Sequence, residues 1–532
     1  MVLEAFKKYI SPPFISPLKM EQLRNWADAA AEKLIKEKGD KATYVCASGI
    51  SPSGHVHIGN FREIITTAQV VKALRLRGKK VRFIYSWDEF DAFRKVPKDF
   101  PSELSKYLGV PLCKIPDPKG CHKSYAEHFE KELEESIKCL DLEIEYIYQG
   151  KMYQSCKYAE QIKVALKDRG KIRELMDKYR KEPLPKDWLP LEVFCEKCWK
   201  NTTNILAYDE KYEVHYECEC GHSNKIDFRK VGNVKLLWRV DWPMRWAYEK
   251  VDFEPGGKDH SAAGGSYDTG KLISKTIWNY EAPSYVPYEF IGIKGGQAFS
   301  SSEGVVLLPA EVLEVYEPDV MTFLFSGTHP SRYFEISFDL DVLKVYEDFD
   351  KYERVYFNKE EVSQKEAENM KRAYELACKE IPKDLGEQPT FRHLTTLLQI
   401  YEGDVSKAIK GINSSRIKTR AHCALNWLKK YATDEFKFSV HASITNEINE
   451  HLNKQQKESL KKLCELLEKK KYNEKTLFEE FYQICETAKV NNTEFFEGAY
   501  LAIIGKKRGP KLAHFILAIG QKRVAKLLAG LK

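Results

Sequence analysis

The segment from residue 44 to residue 85 constrains the fold of this chain more than any other part of its sequence. Tyr44–Cys46 form a short apolar run that ends in small residues, and Ser51–Gly54 supply a turn. A helical pattern of apolar residues follows and ends at Gly78. Val81–Tyr85 then has the composition of a second strand. Strand, helix and strand at this spacing predict a parallel, doubly wound α/β sheet.

The turn between the first strand and the helix has the features of a phosphate-binding loop. Residues 47–60 read ASGISPSGHVHIGN. The glycines allow a phosphate chain to approach closely, and a helix N-terminus favours its negative charge. His57 and Asn60 lie three residues apart at the start of the helix, where both can hydrogen-bond ATP during attack at its α-phosphate. The alternative is an ordinary glycine-rich turn with a surface histidine.

Length and composition indicate a globular protein of several domains. At 532 residues the chain is too long for one hydrophobic core, so we expect two to four domains. Hydrophobic residues make up 43% and charged residues 31%, which favours a folded enzyme over a disordered chain. No stretch approaches the ~20 apolar residues of a membrane span. The N-terminal residues lack the layout of a secretory signal. We therefore expect a cytoplasmic protein with no membrane partner.

Changes in pattern along the chain predict four segments. Charged helices and a cysteine-rich patch interrupt the sheet pattern, which resumes at Val234–Arg239 and again at Tyr288–Ile293. Only amphipathic helical patterns follow, for example over Leu460–Leu467. The predicted segments are the first half of the nucleotide-binding domain (1–100), an insertion (101–233), the second half (234–345) and an all-helical C-terminal domain (346–532).

The last 28 residues carry a concentration of positive charge. From Gly505 to Lys532 there are eight Lys and Arg residues and no Asp or Glu. A patch of one sign can bind a phosphate backbone with salt-dependent affinity. A solvated helix face explains the same pattern, so charge alone leaves both interpretations open.

Two groups of cysteine, histidine and acidic residues have the spacing of metal ligands. In the first, Cys195 and Cys198 form one close pair and Cys218 and Cys220 another. Four thiolates at this spacing predict a closed tetrahedral zinc site, in which His222 could replace one thiol. Unpaired surface cysteines are the alternative.

The second group consists of Asp117, Cys121, His122 and His128. If Cys121 begins a helix, His128 lies two turns later on the same face, and Asp117 can fold back from the preceding turn. Core or helix-capping roles are the alternative for these side chains.

The chain resembles the class I lysyl-tRNA synthetases. PSGHVHIGN at residues 52–60 is similar to the "HIGH" signature of class I synthetases, in the form with Asn last that this family carries. Six further blocks resemble the family in the same order. They are SWDEFDAFRKVP (86–97), DPKGCHKSYAEHF (117–129), WRVDWPMRW (238–246), GGKDHSAAGGSYDTG (256–270), YEPDVMTFLF (316–325) and FEISFDLDV (334–342).

This resemblance implies a fold, a reaction and its partners. It implies a Rossmann-type catalytic domain with a zinc-containing insertion, followed by an all-α domain that reads the tRNA anticodon. The expected reaction activates L-lysine with ATP and Mg²⁺ and transfers it to tRNA(Lys). We expect two structural Zn²⁺ sites, one at each ligand group, and a monomer.

The resemblance also implies roles for individual residues. Trp238 and Tyr288 fit core packing equally well, and Asp241 and Glu289 are both candidate partners of the lysine ammonium. The implied ATP-binding residues are Pro52, Ser53, Gly54, His57, Gly59, Asn60 and Lys294, and the implied lysine-binding residues are Gly49, Ser51, Trp238, His260 and Tyr288.

The second signature loop of the family is altered in this chain. Class I enzymes carry a "KMSKS" loop, which in the lysyl family resembles KMSSSKG. Here residues 298–304 read AFSSSEG, so Ser300, Ser301 and Ser302 are retained as catalytic-loop residues, while Ala298 and Glu303 replace the two lysines. A lysine there offsets charge on the leaving pyrophosphate, and losing one such contact costs roughly 1.5–3 kcal/mol.

The altered loop leaves two other functions open. One is a catalytically weakened, tRNA-binding paralogue with a regulatory role. The other is a nucleotidyltransferase that acts on a small molecule through the same turn, although the large helical C-terminal domain argues against it. Lys294, just before the flexible Gly295-Gly296 pair, could instead supply the missing charge.

Overall fold

The protein is described by a computed structural model, which covers residues 25–98, 100–262, 264–295, 307–386 and 389–532. The chain forms two compact units. The first contains residues up to 313 together with 318–336 and 351–384, and the second contains 314–317, 337–350 and 385–532. The boundary predicted after residue 345 differs from this division, because 351–384 belongs to the first unit.

The described residues form the following strands and helices. The strands are β1 (Thr43–Ile50), β2 (Lys80–Trp87), β3 (Ile144–Tyr148), β4 (Leu191–Val193), β5 (Thr203–Tyr208), β6 (Glu213–Cys218), β7 (Ser223–Asp227), β8 (Val234–Leu236), β9 (Gly256–Gly257), β10 (Pro287–Tyr288), β11 (Ile291–Ile293) and β12 (Phe334–Ile336). The helices up to residue 377 are α1 (Trp26–Lys38), α2 (Ile58–Leu76), α3 (Tyr125–Ile137), α4 (Gln149–Gln154), α5 (Ala159–Lys167), α6 (Arg169–Asp177), α7 (Trp238–Glu249), α8 (Ser266–Trp278), α9 (Pro309–Leu313), α10 (Pro318–Ser326), α11 (Asp341–Tyr356) and α12 (Gln364–Ala377). The later helices are α13 (Phe391–Ile400), α14 (Val405–Ala408), α15 (Ser415–Lys430), α16 (Asn446–His451), α17 (Lys454–Lys469), α18 (Glu474–Ala488), α19 (Asn492–Ile504), α20 (Leu512–Ile519) and α21 (Gln521–Leu528). No helix in the described part of the chain combines the length and the apolarity of a membrane span.

A parallel sheet forms the centre of the first unit. β1 pairs with β2, and β2 pairs with β3, both in parallel. On the other side of β1, Ala47 N donates to Phe253 O at 2.8 Å, and Ser284 N donates to Asp252 O at 2.8 Å. The sheet therefore runs β3–β2–β1, then the Phe253 segment, then the Ser284 segment. This order confirms the predicted doubly wound fold, whose ligands bind outside the carboxyl ends of the strands where the order reverses, here beside β1.

Two strands lie elsewhere than the sequence predicts. β3 belongs to the segment 101–233 assigned to the insertion, yet it completes the parallel sheet. Val234–Arg239 was expected to resume that sheet, but β8 pairs antiparallel with β4 inside the insertion, and Trp238 already begins α7. A short apolar run indicates a buried strand, but it does not indicate which strand this one pairs with. The sequence pattern therefore could not show that β3 joins the parallel sheet and β8 does not.

A buried guanidinium joins the two halves of the first unit. Arg62, near the start of α2, is 2% exposed. It donates to Phe290 O at 3.1 Å, Pro330 O at 2.7 Å and Arg332 O at 2.8 Å. Burial lowers the pKa of Arg62 to about 10, so the side chain stays charged at neutral pH. These bonds hold α2 against the segments that carry β11 and β12, which pair with each other in parallel.

The second unit is helical throughout the residues that the structure describes. Asparagines cap α17, α18 and α19, and each accepts a hydrogen bond from the third amide of its helix. Between these helices lies an apolar core that includes Leu463, Phe481, Phe495 and Phe515. Repeated capping and a continuous core confirm the predicted helical C-terminal domain.

Replacing Arg62 by methionine should destabilise the first unit. Three carbonyl groups would lose their donor, and a buried acceptor without a partner costs about 1–3 kcal/mol. We expect a loss of at least ~3 kcal/mol, measured by urea unfolding followed through tryptophan fluorescence. Arg94→Met, at an exposed arginine, should change the free energy of unfolding by less than ~0.5 kcal/mol. Equal unfolding midpoints for the two variants would contradict this role of Arg62.

Candidate active site and metal centres

His57 occupies the N-cap position of α2, where the turn after β1 meets the helix. Its Nδ1 accepts a hydrogen bond from Asn60 N at 3.2 Å. Burial lowers the pKa of His57 to about 4, so at neutral pH the ring is neutral and carries its proton on Nε2. A neutral N–H donor at a helix N-terminus can hydrogen-bond a phosphate oxygen, while the helix dipole supplies positive potential.

Helix α3 holds the turn that precedes α2. Ser53 O accepts a hydrogen bond from the Tyr125 hydroxyl at 2.8 Å, and His55 Nδ1 lies 2.6 Å from Glu132 Oε2. The turn is therefore held by contacts with the insertion. The structure places the predicted ATP-binding residues Pro52, Ser53 and Gly54 in this turn and Gly59 and Asn60 in the first turn of α2.

Backbone hydrogen bonds hold the residues on both sides of the serine-rich segment. Lys294 N donates to Ile336 O at 3.0 Å, which continues the pairing of β11 with β12. Ile58 N, the first amide of α2, donates to Leu307 O at 2.7 Å. Between these points, Ala298, Ser300, Ser301, Ser302 and Glu303 lie outside the described residues. The described residues on either side of this segment therefore lie at the sheet edge, at Lys294, and at the N-terminus of α2, at Leu307.

An acidic cavity opens at the carboxyl end of β1. It has a volume of about 590 Å³ with its open mouth included. The carboxyl groups of Glu63, Asp88, Glu249 and Glu254 line it, against one guanidinium from Arg245. A cavity with more acidic than basic groups suits a ligand that carries a cation.

Tryptophan and histidine rings form one wall of this cavity. Trp238 stacks on Trp242 with ring centroids 5.4 Å apart, and His260 lies 5.5 Å from Trp238. Flat aromatic surfaces suit an aliphatic stem. At Gly49 an added Cβ would lie 2.6 Å from Ser86 O, so no side chain fits there. Three of the predicted lysine-binding residues, Gly49, Trp238 and His260, therefore line the same cavity.

Glu63 accepts hydrogen bonds from neutral donors only. Gly49 N donates to its Oε1 at 2.9 Å, and the Tyr288 hydroxyl donates to its Oε2 at 2.8 Å. Burial raises the pKa of Glu63 to about 8. A cation that enters the cavity would favour the ionised carboxylate, so its binding would release a proton below pH 8.

The other buried carboxyl groups of the cavity, Asp88 and Glu254, both interact with the positive charge of Arg245, which lowers their pKa against the effect of burial. Asp88 accepts two hydrogen bonds from Arg245, at 2.6 and 3.2 Å. Glu254 accepts one from each of the Trp242 and Trp246 indoles, at 3.0 and 2.6 Å. Burial raises the pKa of both carboxyl groups. Of the described residues, Glu63 is therefore the best placed to meet a ligand ammonium.

Ser51 and Tyr288, also predicted to bind lysine, do not line the cavity. Ser51 donates to Asp91, which is ion-paired with Lys235 at 2.8 Å. Tyr288 reaches the cavity only through its bond to Glu63. Tyr288 thus positions a carboxyl group of the cavity, whereas Ser51 bonds a carboxylate that does not line it.

The two carboxylates that the sequence offered for the ammonium lie outside the cavity. Asp241 accepts a hydrogen bond from the Tyr153 hydroxyl and lies 3.3 Å from Arg245. Glu289 is ion-paired with Lys258 at 2.7 Å. Neither carboxylate therefore lines the cavity, and each is paired with a basic side chain.

The four cysteines of the insertion converge at one end of the β5–β6–β7 hairpin sheet. Cys195 Sγ lies 3.7 Å from Cys220 Sγ, and Cys198 Sγ lies 3.6 Å from Cys218 Sγ. Zn–S bonds of about 2.3 Å in a tetrahedron place the sulfurs about 3.8 Å apart. All four thiols are free and fit a Zn²⁺ ion, whereas His222 is not part of the cluster.

The second group also converges, with Cys121 at its centre. Its Sγ lies 3.3 Å from Asp117 Oδ2, 3.1 Å from His122 Nδ1 and 3.2 Å from His128 Nδ1. These separations fit the ligand sphere of one zinc ion. The predicted geometry needs a correction, because α3 begins at Tyr125 and Cys121 lies in the preceding turn. The loop, and not a shared helix face, brings the four ligands together.

Family models match nearly the whole chain. Residues 24–380 match the model for class I tRNA synthetases (K), and residues 403–529 match the model for an anticodon binding domain.

Relatives from bacteria and archaea match with similar coverage. The chain is 44% identical to the lysine–tRNA ligase of Borreliella burgdorferi over 515 residues, covering 94% of this chain and 98% of that protein. It is 42% identical to the lysine–tRNA ligase of Treponema pallidum, covering 96% and 99%. It is 40% identical to the lysine–tRNA ligase of Pyrococcus horikoshii, covering 95% and 99%.

Each ligand cluster should hold one zinc ion. Cys198→Ser and His128→Ala should each remove one zinc per chain, because a closed site that loses one of four ligands loses most of its affinity. Zinc is measured by mass spectrometry after exhaustive dialysis. Cys139→Ser, at an exposed cysteine outside both clusters, should leave the zinc content unchanged. Equal zinc content in all three variants would contradict the assignment.

Proposed function

Because the chain belongs to the class I lysyl-tRNA synthetase family, we propose that it joins L-lysine to tRNA(Lys) in the cytoplasm, using ATP, for protein synthesis. The observation that carries this proposal is the acidic, tryptophan-walled cavity, which is lined by the end of β1 and by Glu63 from the second turn of α2. The cavity suits the ammonium and the methylene chain of lysine, and the helix N-terminus suits a triphosphate. One carboxyl end of the sheet thus offers places for both substrates of the first step.

In the first step a carboxylate oxygen of lysine attacks the α-phosphorus of ATP. The bond from that phosphorus to the pyrophosphate oxygen breaks, and lysyl-adenylate forms. His57 would donate its Nε2–H to a phosphate oxygen, and the side-chain amide of Asn60 would add a second donor in the same helical turn. Mg²⁺, when bound with ATP, would offset charge on the phosphate oxygens.

In the second step the terminal ribose hydroxyl of tRNA attacks the acyl carbon, and AMP leaves. Neither step needs a strong acid or base from the protein, so positioning and charge stabilisation account for the rate. The match of residues 403–529 to an anticodon binding domain supports tRNA as the acceptor. Unpaired anticodon bases are usually recognised by stacking and by contacts to their edges.

We assign the two zinc ions a structural role. The thiolates of Cys195, Cys198, Cys218 and Cys220 would close a tetrahedron with no open position, and the Asp117 group likewise offers four ligands. Zinc in the hairpin would fix the end of the β5–β6–β7 sheet. Zinc beside α3 would fix the helix that holds the ATP-binding turn.

The same proposal places Ser300, Ser301 and Ser302 over the phosphates of ATP. The flanks of this segment support it, since Leu307 meets the first amide of α2 and Lys294 meets the sheet edge. Lys294 is the nearest lysine before the serines in the sequence, so we propose it as the cation that meets the leaving pyrophosphate.

Lysine-dependent exchange of pyrophosphate into ATP tests the function. Of the twenty amino acids, lysine alone should support exchange above background in zinc-replete protein. Absence of exchange in well-folded protein that still binds tRNA would favour the regulatory paralogue. Exchange without tRNA binding would favour the small-molecule nucleotidyltransferase.

Restoring the family's lysines should speed this exchange. In Ala298→Lys or Glu303→Lys a cation would offset charge on the leaving pyrophosphate, worth about ten- to a hundredfold in rate. Glu361→Lys, at an exposed glutamate, makes the same change in net charge as Glu303→Lys and should leave the rate unaltered. Unchanged rates in the two loop variants would show that another group already fills the role.

Glu63 should make lysine binding depend on pH. Its carboxyl group has a pKa of about 8 in the free protein and ionises when the ammonium binds. Lysine affinity should therefore rise between pH 6.5 and pH 8.5, and binding below pH 8 should release protons, seen by calorimetry in buffers of different ionisation enthalpy.

Glu63→Gln should weaken lysine binding by about ten- to a hundredfold, because a charge-assisted hydrogen bond is lost, and should reduce the proton release. Glu289→Gln is the matched control, since Glu289 lies next to Tyr288 but pairs with Lys258 outside the cavity. A Glu63→Gln protein with unaltered affinity would show that the ammonium binds elsewhere.

A further inference from the structure

A buried lysine of the insertion is linked through one carboxylate to the turn that precedes α2. Lys235, in the middle of β8, has a side chain that is only 2% exposed. Its Nζ lies 2.8 Å from Asp91 Oδ1, and Asp91 Oδ2 accepts a hydrogen bond from the Ser51 hydroxyl. Asp91 therefore joins a strand of the insertion to the residue that begins the turn.

Both members of this ion pair are charged at neutral pH. Burial raises the pKa of Asp91, but the charge of Lys235 and the hydrogen bonds from Lys235 and Ser51 outweigh burial and hold that pKa below its ordinary value. Burial lowers the pKa of Lys235, but the charge of Asp91 outweighs it, so the pKa of the ammonium is raised. An ionised carboxylate accepts a stronger hydrogen bond than a neutral one, and it therefore holds the Ser51 hydroxyl in one orientation.

The strand that carries Lys235 is itself held on both sides. β8 pairs antiparallel with β4. Just before β8, Asn233 Nδ2 donates to Phe194 O at 2.6 Å, and Phe194 N donates to Asn233 O at 2.8 Å. At its end, Leu236 N donates to the Tyr153 hydroxyl at 3.4 Å. The ammonium of Lys235 therefore has a fixed position within the insertion.

Ser51 is the residue at which β1 gives way to the turn. Asp88 N donates to Ile50 O at 2.9 Å, which ties the end of β1 to the loop after β2. The bond from the Ser51 hydroxyl to Asp91 extends this tie by one residue, and Ser53 N donates to Ser51 O at 2.8 Å within the turn. The turn is thus tied at Ser51 as well as at Ser53, whose carbonyl group accepts the bond from α3.

We propose that Lys235 is a positioning residue for ATP, because through Asp91 it fixes Ser51 and with it the turn at residues 52–54. The inference rests on the proposed function, in which this turn receives the phosphates. Without the ammonium, Asp91 would be a largely buried carboxyl group that favours its protonated form, and its bond to the Ser51 hydroxyl would weaken. Asp91 and Lys235 do not line the acidic cavity, so the carboxyl groups and rings around lysine would keep their contacts. The expected defect is therefore in the use of ATP.

The test compares the KM for ATP with the KM for lysine during aminoacylation of tRNA(Lys). Lys235→Met and Asp91→Ala should each raise the KM for ATP by about tenfold and leave the KM for lysine within about twofold. A KM does not depend on how much of the protein is folded, so a partial loss of folded protein does not obscure the result.

Lys72→Met is the matched control. Lys72 is a half-buried lysine near the other end of α2, where it donates to Cys378 O. Its loss should leave both KM values within about twofold. An ATP KM equal to that of the control in both test variants would overturn the proposal. An equal rise in the KM for ATP and the KM for lysine would do the same, because it would show a general disturbance of the site.

A double-mutant cycle shows whether Lys235 acts through Ser51. Ser51→Ala alone should raise the KM for ATP by about tenfold, and adding Lys235→Met should raise it by less than about twofold more, since both changes break one chain of contacts. Effects that multiply to about a hundredfold would mean that Lys235 acts by another route, and they would overturn the proposal.

Hydrogen–deuterium exchange of the free protein keeps the inference separate from the proposed function. By mass spectrometry, the peptide that spans residues 47–56 should exchange about tenfold faster in Lys235→Met than in Lys72→Met, because the turn opens more often. Equal exchange in the two variants would overturn the inference even in a protein that joins lysine to tRNA. Faster exchange in a protein without that activity would support the positioning of the turn by Lys235 and contradict the proposed function alone.

Discussion

The first turns of α2 are the point on which the catalytic unit depends. The His57 side chain caps the helix by accepting a hydrogen bond from Asn60 N, and the first amide of the helix donates to Leu307 O. One turn later, Arg62 donates to three backbone carbonyl groups beside β11 and β12. These contacts come from both halves of the fold. A helix that was capped but not held by Arg62 could present its N-terminus to phosphate, yet it would not be fixed against β11 and β12. The buried guanidinium therefore fixes the N-terminal part of α2 relative to these two strands.

The electrostatic design of the unit separates the substrates by charge. In the proposed reaction lysine brings two ammonium groups and one carboxylate, and the carboxyl groups that line the cavity would receive the cationic end. The triphosphate would instead meet the Asn60 side chain and a neutral imidazole, because burial lowers the pKa of His57. A charged histidine would attract the anion more strongly in the ground state, but a neutral donor costs less to keep buried. The positions of the buried charged and neutral groups would thus separate the two substrates within the site.

Local patterns in the sequence predicted β1, α2 and β2, because one face of that helix repeats apolar residues and Gly78 ends it. The spacing of the cysteines alone also predicted that their two pairs form one cluster. The sequence did not show which strands pair with each other. β8 has the composition of a strand, but it pairs within the insertion and not with the parallel sheet. Glu63 escaped notice for a related reason. It stands in a run of buried residues, Phe61 to Val71, where a charged side chain was the signal that something polar faces it. Only the folded structure shows that Glu63 faces the cavity.

The backbone at Gly49 limits how the proposed amino-acid pocket can change. Since the floor of the pocket is a strand pressed against Ser86, no substitution there can enlarge or shrink the cavity without parting β1 from β2. The opposite wall is built from tryptophan side chains on α7, which can be exchanged one ring at a time. A redesign for a non-natural amino acid would thus have one adjustable side, and the length of the side chain it accepts would be tuned from the helix.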